Sequence, residues 1–196
     1  MTVFRSGSRN RSGRMWRGTG AGAMYALVLT AGPEPAAAQA KNPCDGHTAC
    51  IELPTFVAMV TDFRPGAIGA TWRVSATIRF SNKTPRELVV GYVEGSGVAT
   101  DDRGNRYTVR PGAVGGIGTI SNSGFDPKFT MQPGAGNEGR IEFQWIPGSR
   151  NDPVGTAWDV EFAVREIDPV ADKQYKLGKQ HVLQFRGFRE GWTARR

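Results

Sequence analysis

The sharpest constraint in this chain is an alternation of polarity, residue by residue, from Thr71 to Phe80. Trp72, Val74, Ala76, Ile78 and Phe80 fall on one side, and Arg73, Ser75, Thr77 and Arg79 on the other. A helix repeats every 3.6 residues and cannot sort such a run, whereas a strand with one buried and one wet face does so directly. The run Ala157–Ile167 repeats the pattern, with Trp158, Val160, Phe162 and Val164 opposite Asp159, Glu161 and Arg165. Ile141, Phe143 and Trp145 alternate with Glu142 and Gln144, and Leu183 and Phe185 with Gln184 and Arg186. Shorter β-type runs occupy Phe56–Val60, Leu88–Val93, Arg106–Arg110 and Lys128–Met131.

Turn chemistry divides these runs. Residues 41–196 contain 20 Gly and 10 Pro, spread so evenly that few intervals could hold a helix of three turns. Ser81–Pro85 is a polar stop, and Asp101–Asn105 places Gly104 and Asn105 where a hairpin needs positive φ. Gln132–Asn137 and Pro147–Pro153 supply two further turns. No alternation of strand and helix exists to build a parallel sheet. The pattern predicts an all-β, antiparallel sandwich of about eight strands in one domain. Its expected core is Trp72, Phe80, Phe143, Trp145, Trp158, Phe162 and Phe185.

The first forty residues differ from the rest. Arg5, Arg9, Arg11, Arg14 and Arg17 form a basic stretch, the apolar run Ala21–Ala31 follows, and the segment closes on Ala38-Gln39-Ala40. This is the plan of a cleavable signal peptide over residues 1–40. The apolar run is about 11 residues, whereas crossing a bilayer takes about 20, so no integral membrane insertion is expected. A start at Met15 would still leave a 26-residue signal and make residues 1–14 a start-site artefact. No Cys directly follows the apolar run, which argues against a lipid anchor. The expected location is exported, periplasmic or extracellular.

Export sets the meaning of the remaining composition. The chain carries 25 Lys+Arg against 18 Asp+Glu, a formal +7, but the leader holds five of the bases and only one acid, Glu34. The mature part is therefore only mildly basic, too little to indicate a nucleic-acid partner. Cys44 and Cys50 are the chain's two cysteines, and in an oxidising compartment they are expected to pair. The resulting layout is a disulfide-knotted segment at 41–55, the sandwich at 56–190 and a basic tail at 191–196.

The turns also carry a resemblance. The strand ending in Asn82-Lys-Thr84, the hairpin Asp101-Asp-Arg-Gly-Asn-Arg-Tyr107, and Phe129-Thr-Met-Gln-Pro-Gly134 before Arg140-Ile-Glu-Phe143 resemble bacterial exported immunoglobulin-like domains. The resemblance spans roughly Phe56 to Phe185 and implies an immunoglobulin-like β-sandwich. Many members of that group are of unknown function, and others are binding or accessory modules. The lipid-attachment Cys of its lipoprotein members is missing here. Fold alone does not fix function.

Candidate chemistry is sparse. Five of the thirteen residues from Gly112 to Gly124 are Gly, the composition of a loop whose backbone N–H groups could approach a ligand. The stretch lacks the Gly-Lys-Ser/Thr of a phosphate loop and the third Gly of a dinucleotide fingerprint. It is expected to be a long connection between sheets or a flexible strand, and the contact residues singled out around it are Tyr92, Arg110 and Asn122. Asp101, Asp102 and Asn105 fit a hairpin turn better than a calcium loop, which needs more oxygen ligands at alternating positions. No Ser sits in a nucleophile elbow, and the two His residues, His47 and His181, have no evident nucleophile beside them. Glu142, Asp159 and Glu161 are wet-face residues of alternating strands. The expectation is a non-catalytic binding or accessory module with no cofactor and no metal, acting on an unknown protein or cell-envelope partner. The competing expectation is binding of an envelope polysaccharide through exposed Tyr92, Tyr107 or Trp192.

Overall fold

A computed structural model of the chain describes residues 44–45, 47, 49–148, 152–171 and 174–194, all within one compact unit, Ala40–Arg196. The signal peptide expected over residues 1–40 lies outside the described residues. Twelve strands follow one another: β1 (Cys50–Glu52), β2 (Phe56–Ile68), β3 (Thr71–Asn82), β4 (Leu88–Val93), β5 (Val98–Asp101) and β6 (Arg106–Gly115), then β7 (Gly118–Ser121), β8 (Gly124–Phe125), β9 (Thr130–Met131), β10 (Gly136–Trp145), β11 (Ala157–Ala171) and β12 (Gln174–Arg189). No helix occurs among the described residues.

The strands join edge to edge in one bent sheet, in the order β1-β2-β3-β10-β6-β5-β11-β4-β7-β8, with β12 on β11 and β9 on β4. Sequence alternation sets the register. Trp72, Val74 and Ala76 stand opposite Trp145, Phe143 and Ile141 across β3 and β10, so the apolar sets of both strands share a face. Phe162 of β11 likewise stands opposite Leu183 of β12. The sheet folds over so that the β2–β3–β10 half faces the β11–β12 half. Phe63 of β2 stacks on Phe188 of β12 at 4.6 Å and lies 5.9 Å from Trp158 of β11, although none of these strands is a hydrogen-bonded neighbour of β2. Phe80, Phe143, Trp158, Phe162 and Phe185 are buried as expected, while Trp72 and Trp145 pack on the rim of the core, half-buried.

Two expectations need correction. The sheet has twelve strands rather than about eight, and it is mixed, because β4 and β7 run parallel with Tyr92 opposite Thr119. Two of the four extra strands are β1 and β5; the other two, and the parallel pairing, come from the glycine-rich stretch. It crosses from the end of β6 to β4, as a connection was expected to do, but it also forms the short strands β7 and β8 on arrival. Gly118 makes that approach possible, since a Cβ there would collide with the carbonyl oxygen of Asp126. The covered outer side of β4 gains a small second core of Val89, Ile120 and Ile167, closed by Phe125.

The turn motifs act as fasteners. Asn82 is buried; its amide donates to the carbonyls of Arg86 at 2.7 Å and Met131 at 3.0 Å, and its oxygen accepts from the N–H and hydroxyl of Thr84. At the N-terminal end Cys44 and Cys50 are disulfide-bonded, and the Ala49 carbonyl accepts from Val60 N–H at 2.9 Å. The described start of the basic tail, residues 191–194, packs back on the sheet. Trp192 meets Phe188 edge-on at 4.9 Å, and Thr193 bridges back to Asp62 of β2.

Candidate functional site

The fold opens a groove of about 410 Å³ where β6 parts from the β4–β7 pair, a volume in the range of small-ligand and peptide-anchor sites. Its sides come from residues far apart in sequence: Tyr92, Glu94 and Gly95 around the β4–β5 turn, Val109–Gly112 and Val114 from β6, and Ile117, Thr119 and Lys128 from the glycine-rich crossing and beyond. Val109, Val114, Ile117 and the Tyr92 ring give it an apolar floor.

One side of the groove is a turn set into β6. Val109 and Val114 pair with Phe143 and Ile141 of β10, so four residues, Arg110–Ala113, loop out between them. Pro111 fixes its own φ, and Gly112 takes a φ of 79° that glycine allows, so the backbone of the looped-out residues is restrained. Arg110 is thus presented at the groove by a stiff Pro-Gly turn. Its side chain is exposed and forms no ion pair among the described residues. Lys128, by contrast, is held at 2.7 Å by Asp126.

Tyr92 serves the groove from below. It is 1% exposed, and its hydroxyl accepts the Gly97 N–H at 3.0 Å. Burial pushes the phenol's pKa up, against the bonds from Gly97 and Ser96, and the nearby Glu94 charge adds to the rise. The hydroxyl is therefore a neutral structural group. A Cβ on Gly97 would lie 2.6 Å from Val109 Cγ2 and 2.7 Å from the Tyr92 hydroxyl, so only glycine lets the turn sit this low.

Of the contact residues read from the sequence, the structure brings Tyr92 and Arg110 to one groove. Asn122 is exposed on the β7–β8 turn and does not line it. Trp192 lies on the C-terminal segment against Phe188. The polysaccharide expectation relied on exposed rings, and two of the three are not exposed: Tyr92 is 1% and Tyr107 0% accessible. Both occupy inward strand positions, where a large ring is worth more to the core than to solvent.

Tyr107 belongs to a different structure, built on Asp101. That carboxylate is 5% exposed and receives N–H bonds from Arg103, Asn105 and Gly155, the Asn105 amide and the Tyr107 hydroxyl, all between 2.8 and 3.1 Å. Burial alone would raise its pKa, but the bonds from Asn105, Gly155 and Arg103 outweigh it and hold the carboxyl below its usual range. Burial first, and then the adjacent Asp101 charge and hydrogen bond, push the Tyr107 phenol up to about 12, with the Trp158 indole acting in the opposite direction. The Asp-x-x-Gly-Asn-x-Tyr sequence thus supplies four of the five donors to its own buried acid, and Gly155 the fifth. Five protein donors occupy its two oxygens.

A second buried acid was not anticipated. Glu166 Oε1 accepts from Thr55 Oγ1 at 2.7 Å and lies 2.9 Å from His181 Nε2, with the Phe56 ring edge-on to the imidazole at 5.3 Å. The Glu166 and His181 side chains are only 8% and 5% exposed. Hydroxyl and imidazole meet on the same carboxylate oxygen rather than each other, so the imidazole has no hydroxyl to activate within this cluster. Its effect is to tie the start of β2 to β11 and β12. The three wet-face acids are each engaged separately: Glu142 with Arg73 at 3.1 Å, Asp159 with the Gly187 N–H at 2.9 Å, and Glu161 with Gln184.

No family model matches the chain, and no curated protein does. Among solved structures, an uncharacterized β-sandwich protein from Clostridium difficile 630 aligns with 70% of this chain and 88% of its own, at 10% identity and a TM-score of 0.34.

Proposed function

We propose that this protein is an exported, non-catalytic module of the immunoglobulin-like kind, which binds a partner in the groove between β6 and the β4–β7 pair. The observation that carries this reading is the convergence of an apolar floor, the Tyr92 ring, and an exposed, unpaired Arg110 on a rigid turn. Few polar groups around an apolar concavity are the usual composition of a binding site. Export is supported by the tripartite leader and by the Cys44–Cys50 disulfide. The polysaccharide alternative now rests on Trp192 alone, a half-buried ring already packed on Phe188.

The test is affinity capture from the exported fraction of the native cells, using the full chain secreted through its own leader. Thr119→Trp, at an exposed position on the groove wall, should block capture, whereas Trp192→Ala should leave it intact. Capture unaffected by Thr119→Trp but lost with Trp192→Ala would reject the groove in favour of the polysaccharide reading.

A further inference from the structure

The rim of the groove restricts what it can hold. Around the apolar floor stand two cations, Arg110 and Lys128, and one acid, Glu94. Asp126 already engages Lys128 at 2.7 Å, which leaves one uncommitted guanidinium, Arg110, and one carboxylate, Glu94, among the lining residues. A polyanion would meet Glu94 and find only one free cation, so the electrostatics do not suit it. A bare hydrocarbon chain would use the apolar floor but make no use of the Arg110 guanidinium and Glu94 carboxylate that the rim presents. A peptide supplies what both lack. One apolar side chain covers the half-buried Val109 and Val114, one carboxylate meets the planar guanidinium through paired N–H···O bonds, and backbone amides face Glu94 and Thr119.

Resting on the groove reading above, we infer that the occupant is an extended peptide segment carrying an apolar side chain next to a carboxylate, recognised by Arg110. Pro111 and Gly112 restrain the backbone beside Arg110, so ordering on binding is confined to the exposed Arg110 side chain. The segment binds as an acid–apolar pair, and the sign of its charged residue is read by one side chain.

The test is selection from two random hexapeptide libraries, one with a fixed acidic residue and one with a fixed Lys, on immobilised full-length protein. Wild type should enrich acidic peptides with an adjacent apolar residue at least tenfold over their basic counterparts. Arg110→Glu, at an exposed position where circular dichroism and the melting curve should not change, should reverse that preference. A wild-type preference that persists in Arg110→Glu, or no enrichment from either library, overturns the inference. Displacement of selected peptides by palmitate at equal concentration also overturns it, by showing an acyl-chain site. If the libraries give nothing while capture from the exported fraction still depends on Thr119, the groove stands and only the peptide class falls.

Discussion

The buried Glu166–His181 pair offers a decisive perturbation, because its energetics depend on leaving one partner behind. In Glu166→Leu, the His181 ring keeps its place beneath Phe56 but loses its acceptor, and the Thr55 hydroxyl loses the same oxygen. Removing one member of a buried pair costs about 3–5 kcal/mol, most of it the desolvation of the group left unpaired. Thr55 is only half-buried and regains water, so the lower end, about 3 kcal/mol, is expected. For a domain of this size that corresponds to a fall of about 6–12 °C in Tm. His181→Leu should cost a similar amount by stranding the carboxylate. The double variant Glu166→Leu/His181→Leu removes both polar groups and fills the space with apolar atoms, so it should lie within about 1 kcal/mol of wild type. The assay is urea unfolding of all four proteins at one pH, followed by fluorescence and circular dichroism, with m-values compared to confirm a common two-state transition. A double variant as unstable as the sum of the two singles would refute the reasoning, since the side chains would then be acting independently.

Two further predictions concern the Asp101 knot. The Asp101 carboxyl titrates lower in the folded than in the unfolded chain, so its stabilisation is complete above the ordinary value of about 3.9 and is lost as pH falls through the lowered folded value. Asp101→Asn should therefore cost about 3 kcal/mol at neutral pH through its stranded donors and show a flatter acid limb than wild type; parallel acid limbs in urea unfolding between pH 2 and 5 would argue against it. Tyr107 shifts in the opposite sense. With its phenol raised to about 12, stability should be level below pH 10 and decline as pH rises towards 12, and Tyr107→Phe should remove that part of the decline in alkaline unfolding curves.

Much of this architecture was legible in the alternation of polarity, and the misses have physical causes. The side-chain parity that places Trp158, Val160, Phe162 and Val164 inward continues to Glu166, and the parity of Leu183 and Phe185 runs back to His181. An acid and an imidazole at inward positions on two paired strands were thus visible as a buried pair, had the alternation been followed past the last apolar residue. The glycine-rich stretch was harder. Glycine signals freedom in a lone sequence, but here Gly118 marks a backbone lying too close to Asp126 for any side chain, and so part of a strand. The groove was half legible. Tyr92 and Arg110 were marked by type and by neighbourhood, whereas Ile117, Thr119 and Lys128 join them only through a parallel crossing that no local pattern encodes. Tyr107 was misread as a surface ring because its Asp101 partner was seen only as a turn residue.

The return of the C-terminal segment to β2 bears on when the chain can fold. Phe63, among the earlier side chains of the core, is covered by Phe188 and Trp158, and Asp62 beside it is bridged by Thr193. These partners lie about a hundred residues apart or more, which gives the domain a high contact order and a slow, late closure. A nascent chain lacking β12 would therefore expose the inner face of β2. For the export proposed above, such a delay would keep the chain open until β12 is available.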